Sequence, residues 1–371
     1  MTTIYGPCLH LLRNEGARSL LAPLTGGRAS NHIRPTIAAV YLTGYCNSRC
    51  TMCDFWKNER DPSELDSEAW GVIFSRLKAF GVEFVGVNAS GEVFTRRDVF
   101  DILGHLCDLG LAFGVNSNAT LLTRGKAQRL AKLSPRQVTV GLDGVGDDAY
   151  LATRGLKGGF VKVARHLEYL RQAGVENLSI GSVLMRENLD QWIPLARFAL
   201  EAGLAGVRFT AFHQGYFNVE DKTAGYGAPA FLAGVEVEID KLITLKRQTG
   251  IVKNSEDYLR RVVAYYRDPH GYFPVPCLQG SNRIEVDTHG NVTLCSFVTE
   301  SLGNLMHQEM EEIWSSPAHR AAREAAYRGA CPRCFLSCYG EENLRLSVTG
   351  VLPNLGESLR RASRLLLGAR R

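Results

Sequence analysis

No stretch of this sequence approaches the roughly 18 uninterrupted apolar residues that a membrane-spanning helix needs. Its opening segment is broken by Pro7, His10, Arg13, Glu15 and Arg18. Neither a membrane span nor an export signal is expected, and the expected location is the cytoplasm. A surplus of charge is also nearly missing. The formal excess is +5, but Arg360, Arg361, Arg364, Arg370 and Arg371 against Glu357 place most of it in the tail. A nearly neutral body has no basic footprint for nucleic acid, and the tail reads as a solvated helix. Long repeats and low-complexity tracts are absent too. With 45% hydrophobic and 22% charged residues, disorder, collagen and coiled coil are excluded.

What is plentiful is cysteine: Cys8, Cys46, Cys50, Cys53, Cys107, Cys277, Cys295, Cys331, Cys334 and Cys338. Without an export signal these spacings point to metal or redox chemistry rather than disulfides. Cys8 and Cys107 belong to no motif and read as core or idle thiols.

From Thr36 short apolar runs alternate with amphipathic segments, the pattern of strand-helix units around a parallel sheet. Strands are expected near 36–43, 83–88, 112–116, 137–142, 178–184 and 206–211. Helices are expected near 66–80, 97–109, 124–132, 159–172 and 189–201. Six units are too few for an eight-unit closed barrel, so the expected fold class is α/β, a partial (β/α)6 barrel. The rhythm stops after Phe212. The expected organisation is an N-terminal extension (1–35), the barrel (36–212), a linker with helices (213–269), a cysteine-bearing module (270–343) and the basic tail (344–371). Phe212, Tyr216, Phe217 and Tyr226, around the linker's Gly-rich loop, read mainly as packing between the two modules.

Directly after the first strand, YCNSRCTMCDFW sets Cys46, Cys50 and Cys53 in a CxxxCxxC array. Three thiolates on one loop can hold three corners of an iron-sulfur cube and leave one iron open. A zinc knuckle is the alternative, but structural zinc takes four protein ligands and only His32 stands near enough to be recruited. The array resembles the hallmark of the radical S-adenosylmethionine superfamily. That resemblance implies a 4Fe-4S cluster whose open iron is chelated by S-adenosylmethionine, reductive cleavage to methionine and a 5'-deoxyadenosyl radical, and a reducing electron donor such as flavodoxin or ferredoxin.

Further segments are similar to the family's motifs. Asn88-Ala89-Ser90-Gly91-Glu92 resembles its Gly-Gly-Glu segment, with Gly91 and Glu92 at the matched positions. Asn116-Ser117-Asn118-Ala119 resembles its Thr-Asn-Gly turn, so Ser117 and Asn118 are expected at the cofactor. Gly141-Leu142-Asp143-Gly144 departs from Ser-Leu-Asp-Gly at Gly141. Arg154-Gly155 matches the arginine expected to pair the methionine carboxylate. Ile180-Gly181-Ser182-Val183 resembles the segment beside the adenine, with Ile180 and Ser182 as expected contacts.

Downstream, Cys277, a GxxxxC element ending at Cys295, and CPRCFLSC from Cys331 through Cys334 to Cys338 mark a second metal centre. Ile284 to Val292 reads as a hairpin between Cys277 and Cys295. The assembly resembles the SPASM domain or its shortened twitch form, which implies an auxiliary 4Fe-4S cluster. Five cysteines suggest a single one, held by Cys277, Cys295, Cys331 and Cys334, with Cys338 as a substitute ligand or free thiol. A zinc ribbon is the alternative.

With four protein ligands the auxiliary cluster is expected to transfer electrons, which makes net oxidation natural. Asp143, Arg154, Arg208 and His213 are the candidates near strand ends for moving a proton. The expected function is oxidation or epimerisation of a small carbohydrate- or aminocyclitol-like molecule, favoured because only a short segment precedes the first strand. The alternatives are maturation of a ribosomally made peptide and, remotely, a non-enzymatic zinc-binding interaction protein.

Overall fold

The structure, a computed structural model, describes residues 34–213, 215, 225–281 and 283–347. Cys8, His32, Tyr216, Phe217, most of the N-terminal extension and most of the basic tail lie outside them. Six parallel strands, β1 (Ile37–Tyr41), β2 (Phe84–Asn88), β3 (Ala112–Ser117), β4 (Gln137–Gly141), β5 (Leu178–Leu184) and β6 (Gly206–Ala211), pair in chain order. All six agree closely with the strands expected from periodicity. Helices α1 (Ser67–Phe80), α2 (Val99–Asp108), α3 (Arg124–Lys132), α4 (Asp147–Arg154), α5 (Gly159–Gln172) and α6 (Trp192–Glu201) run between them. The short α4 has only a weak apolar stripe and was not expected.

Each helix forms because its apolar positions recur at helical spacing and find the sheet. In α1, Trp70, Ile73, Phe74 and Leu77 are fully buried, the i, i+3, i+4, i+7 pattern of a core-facing stripe. Asp66 caps its start by accepting the Ala69 amide at 2.9 Å. The sheet's other face is kept small. Ala39, Gly86 and Gly114 share one register row, and Gly141 pairs Gly181. Where a closed barrel would stack branched side chains, this surface leaves a cavity of about 1950 Å³.

After β6 come α7 (Pro229–Thr249) and α8 (Glu256–Arg267). The expected hairpin then forms, but it does not stand apart in the second module. Its first strand, β7 (Arg283–Val286), lies parallel to β1, and β8 (Val292–Thr293) closes antiparallel on β7. Ile284 and Val286 bury their side chains in the main core, and β7 covers the edge of β1 that would otherwise present unpaired backbone groups. The cysteine module is thereby built onto the barrel's sheet. It ends in α9 (Met310–Ser315), α10 (Pro317–Tyr327) and α11 (Ser337–Leu346).

In α10 the buried His319 accepts from Arg323 Nη1 through Nδ1 at 2.5 Å, while the Arg323 guanidinium lies 4.0 Å from the centre of the Trp314 ring. Burial, then the Arg323 charge, push His319 down to about 3. Between that value and its ordinary 6.5 the folded protein binds fewer protons than the unfolded chain, so stability falls as pH drops through this window. Replacing His319 with Gln should flatten the decline by up to about 1.4 kcal/mol per pH unit, read from denaturant midpoints at pH 7 and pH 5.5 under anaerobic conditions.

Candidate active site

The segment following β1 is pinned from two sides by backbone. The Gly91 amide donates to the Thr43 carbonyl at 3.1 Å and the Glu92 amide to the Tyr45 carbonyl at 2.9 Å. A Cβ at residue 91 would lie 1.8 Å from the Tyr45 oxygen, so only glycine permits this approach. On the far side Thr51 donates to the Thr153 carbonyl at 2.9 Å. Gly155, at φ +67°, leaves room for the Arg49 carbonyl, which a Cβ would meet at 2.3 Å. Asn118 Nδ2 holds the loop's centre, donating to Asn47 Oδ1 at 3.0 Å and Ser48 Oγ at 2.9 Å. Cys46, Cys50 and Cys53 are thus presented together on the cavity wall. Burial raises all three thiols, Cys46 to about 11 and Cys53 to about 12. A metal centre must therefore displace their protons on binding.

The motif residues surround this loop, though not all in the expected manner. The Glu92 carboxylate is turned into the protein, accepting from Ser117 Oγ at 2.8 Å, the Asn118 amide at 2.6 Å and the Phe94 amide at 3.1 Å. Its side chain braces the turn, and the Gly91-Glu92 backbone is what holds the loop. Asp143 is fully buried and bonds Arg154 Nε at 2.5 Å. It also accepts from the Val183 amide at 2.7 Å and Ser182 Oγ at 3.2 Å. Asp143 is therefore committed to positioning Arg154, which corrects its candidacy as a base. The Arg154 guanidinium reaches Cys50 Sγ at 3.9 Å. Burial opposes its charge, but Asp143 and Cys50 more than offset this and raise its pKa.

The departure at Gly141 now has a cause. A Cβ there would sit 2.9 Å from both terminal nitrogens of Arg154, so glycine clears the space that the guanidinium takes. Ile180 is fully buried in the main core. Alternation turns Ser179 and Gly181 toward the interior and the side chains of Ile180 and Ser182 toward the buried face, while all four residues border the barrel cavity.

The second cysteine group divides. Cys277, Cys295, Cys331 and Cys334 line one small cavity together with Gln279, Phe335 and Tyr339. Cys338 lines the barrel cavity instead. His213 stands between the two, its Nε2 donating to the Arg333 carbonyl at 3.0 Å and its ring edge-on to Phe297. That bond leaves Nδ1 a bare lone pair, buried and, among the described residues, without a hydrogen-bond partner. Arg208, on the interior face of β6, projects into the barrel cavity. Among the described residues no three His, Cys, Asp or Glu side chains converge as a site for a single metal ion. Two all-cysteine donor sets are the ligand type that iron-sulfur clusters take.

Residues 40–199 match the Radical SAM superfamily, and residues 277–339 match SPASM, an iron-sulfur cluster-binding domain. The chain carries a radical SAM domain followed by a SPASM domain. An AdoMet-dependent heme synthase of Nitratidesulfovibrio vulgaris is 22% identical over 79% of this chain and 83% of its own length. The mycofactocin maturase MftC of Mycolicibacterium smegmatis is 26% identical over 81% of this chain and 76% of its own. A PqqA peptide cyclase of Methylocella silvestris is 22% identical over 86% and 85%. Streptococcus suis SuiB bound to precursor peptide SuiA superposes with a TM-score of 0.63, at 18% identity, over 82% of this chain and 72% of that one. As a radical SAM protein with a SPASM domain, the chain uses S-adenosylmethionine, a 4Fe-4S cluster and auxiliary iron-sulfur chemistry. No described helix is long and apolar enough to cross a membrane.

Sequence reasoning missed Gln279, Glu285, Ser296 and Tyr339, which form the wall between the two cavities, because none lies in a motif. The alternation of Arg283-Ile284-Glu285-Val286 was the available signal, since it places Glu285 on the interior face. From the loop geometry, Gly91→Ala should drive the Tyr45 carbonyl out of place. Anaerobically reconstituted variant should lose about four irons per chain, with the auxiliary absorbance retained.

Proposed function

We propose that this protein is a radical SAM oxidoreductase that modifies a peptide. The observation carrying the reading is the size of the barrel cavity. At about 1950 Å³ it exceeds the roughly 300–1000 Å³ of ordinary small-molecule sites, leaving room for S-adenosylmethionine and a length of extended chain. The names of the peptide cyclase and the maturase support it, and none of the three curated relatives is named for a carbohydrate. The expectation of a carbohydrate or aminocyclitol rests on the short segment before β1, and it gives way to the peptide alternative.

In this reading Cys46, Cys50 and Cys53 hold the cluster that binds S-adenosylmethionine, while Cys277, Cys295, Cys331 and Cys334 hold one auxiliary cluster. Bound there, these groups supply a 5'-deoxyadenosyl radical able to take a hydrogen atom, and an acceptor for a second electron. Arg154, kept charged by Asp143, pairs the methionine carboxylate. Ser182 and the backbone of Gly181 line the adenosine side. His213 is the proton acceptor: burial pushes its imidazole below the usual range, and the Arg333 carbonyl keeps Nδ1 as the bare nitrogen. Arg208 faces the substrate, and Cys338 is a cavity thiol rather than a cluster ligand.

Anaerobic holoenzyme with S-adenosylmethionine and dithionite should release 5'-deoxyadenosine, and Cys50→Ala should abolish it. Incubation with a synthetic peptide encoded beside this gene should show loss of hydrogen by mass spectrometry. Turnover of sugars or aminocyclitols with no change in any such peptide would overturn the peptide reading. With the peptide in place, His213→Asn should slow product formation by about 10²-fold or more and leave substrate-free 5'-deoxyadenosine release unchanged.

A further inference from the structure

The wall between the barrel cavity and the auxiliary cavity contains one carboxylate to which the reading above assigns no role. Glu285, on β7, is 1% exposed. Four neutral donors hold it. Oε1 accepts from Tyr339 Oη at 2.7 Å and Gln279 Nε2 at 3.2 Å. Oε2 accepts from Ser296 Oγ at 3.1 Å and Tyr41 Oη at 3.4 Å. Ser296 Oγ also lies 2.7 Å from Tyr41 Oη and 3.1 Å from Tyr339 Oη, so the three hydroxyl protons are shared among these contacts and the carboxylate.

These side chains come from four places. Tyr41 ends β1, the strand that leads into the first cysteine loop. Ser296 directly follows Cys295. Tyr339 is on α11, and Gln279 lies two residues past Cys277. Tyr339 and Gln279 line the auxiliary cavity beside the four thiols. Tyr41, Glu285, Ser296 and Tyr339 line the barrel cavity. The one guanidinium on this strand, Arg283, pairs Glu342 at 3.1 Å, so the local sum of Glu285, Glu342 and Arg283 stays negative.

A buried carboxylate is expensive unless it is hydrogen-bonded: burial pushes the Glu285 carboxyl up, the Arg283 charge and the surrounding donors oppose this, and the neutral donors hold the ionised form without cancelling its field. Fixed charge and hydrogen bonding near a cluster set its reduction potential. We propose that Glu285 is a positioning residue that sets the potential of the auxiliary cluster: its fixed negative charge resists the electron the cluster takes up, and its bonds to Ser296 and Tyr41 tie the two cluster-bearing segments together. The inference rests on the assignment of Cys277, Cys295, Cys331 and Cys334 as auxiliary ligands, but not on which substrate is correct.

The test is an EPR-monitored redox titration of substrate-free holoenzyme carrying both clusters. Glu285→Gln should move the auxiliary midpoint positive, raising the reduced-to-oxidised ratio at a fixed potential about tenfold, or about 59 mV for one electron. Tyr41→Phe removes a donor but keeps the charge, so it should leave the midpoint unchanged or move it negative. Substrate-free 5'-deoxyadenosine release with dithionite should stay at the wild-type level in both. An unchanged midpoint in Glu285→Gln, or equal positive shifts in both variants, overturns the proposal. If Glu285→Gln fails to retain the auxiliary cluster, Glu285→Asp decides: a midpoint within the wild-type range supports the charge role, and a positive shift of about 59 mV or more overturns it. Loss of the auxiliary signal in Cys334→Ala, with the first cluster retained, checks the ligand assignment separately.

Discussion

The reactive end of this protein depends on two places where backbone meets backbone with no side chain between. The carbonyl of Tyr45 occupies the space of a side chain at Gly91, and that of Arg49 the space of one at Gly155. A loop carrying three thiols must keep its own backbone satisfied while its side chains face the metal. It does so by bonding to Gly91, Glu92 and Thr153 across these gaps. A rigid shell of this kind fixes ligand placement better than the loop's own preferences could. The carboxylate of Glu92 and the amide of Asn118 reinforce the same clamp from below.

Around that clamp the charges are few and nearly all paired. Asp143 and Arg154 form a buried ion pair that also carries Ser182 and the Val183 amide. Halving such a pair typically costs about 3–5 kcal/mol because the survivor is left uncompensated. The guanidinium is thereby locked against Gly141 and beside Cys50. The position at which the chain departs from the Ser-Leu-Asp-Gly pattern it resembles is thus part of the same arrangement. Across the cavity, the Glu285 wall joins β1 to the cysteine module, so one sheet positions both cysteine groups.

Much of the barrel was legible because its strands are short apolar runs bounded by turns and its helices carry stripes such as Trp70, Ile73, Phe74 and Leu77. The first cysteine set was legible because a metal cluster demands thiols at close spacing on one loop. The functions of individual motif residues were less so. Asp143 and Glu92 look like free carboxylates in one dimension and are consumed by hydrogen bonds in three. Ile180 falls on the core face of its strand by a one-residue alternation. The β7 strand was read as part of a separate hairpin because parallel pairing to β1 joins segments far apart in the chain, and local pattern carries no information about that partner.

The amino-acid sequence alone determined the kind of chemistry, through cysteine spacing, and the strand-helix order that makes a partial barrel. Both are local, set by side-chain type and short-range periodicity. Only the tertiary structure decided which carboxylate supports which cation, that Gly141 makes room for Arg154, that Cys338 faces the barrel while four other thiols share one cavity, and that Glu285 stands between the two chambers. Those outcomes depend on packing between distant segments, where burial forces each polar group to find a specific partner.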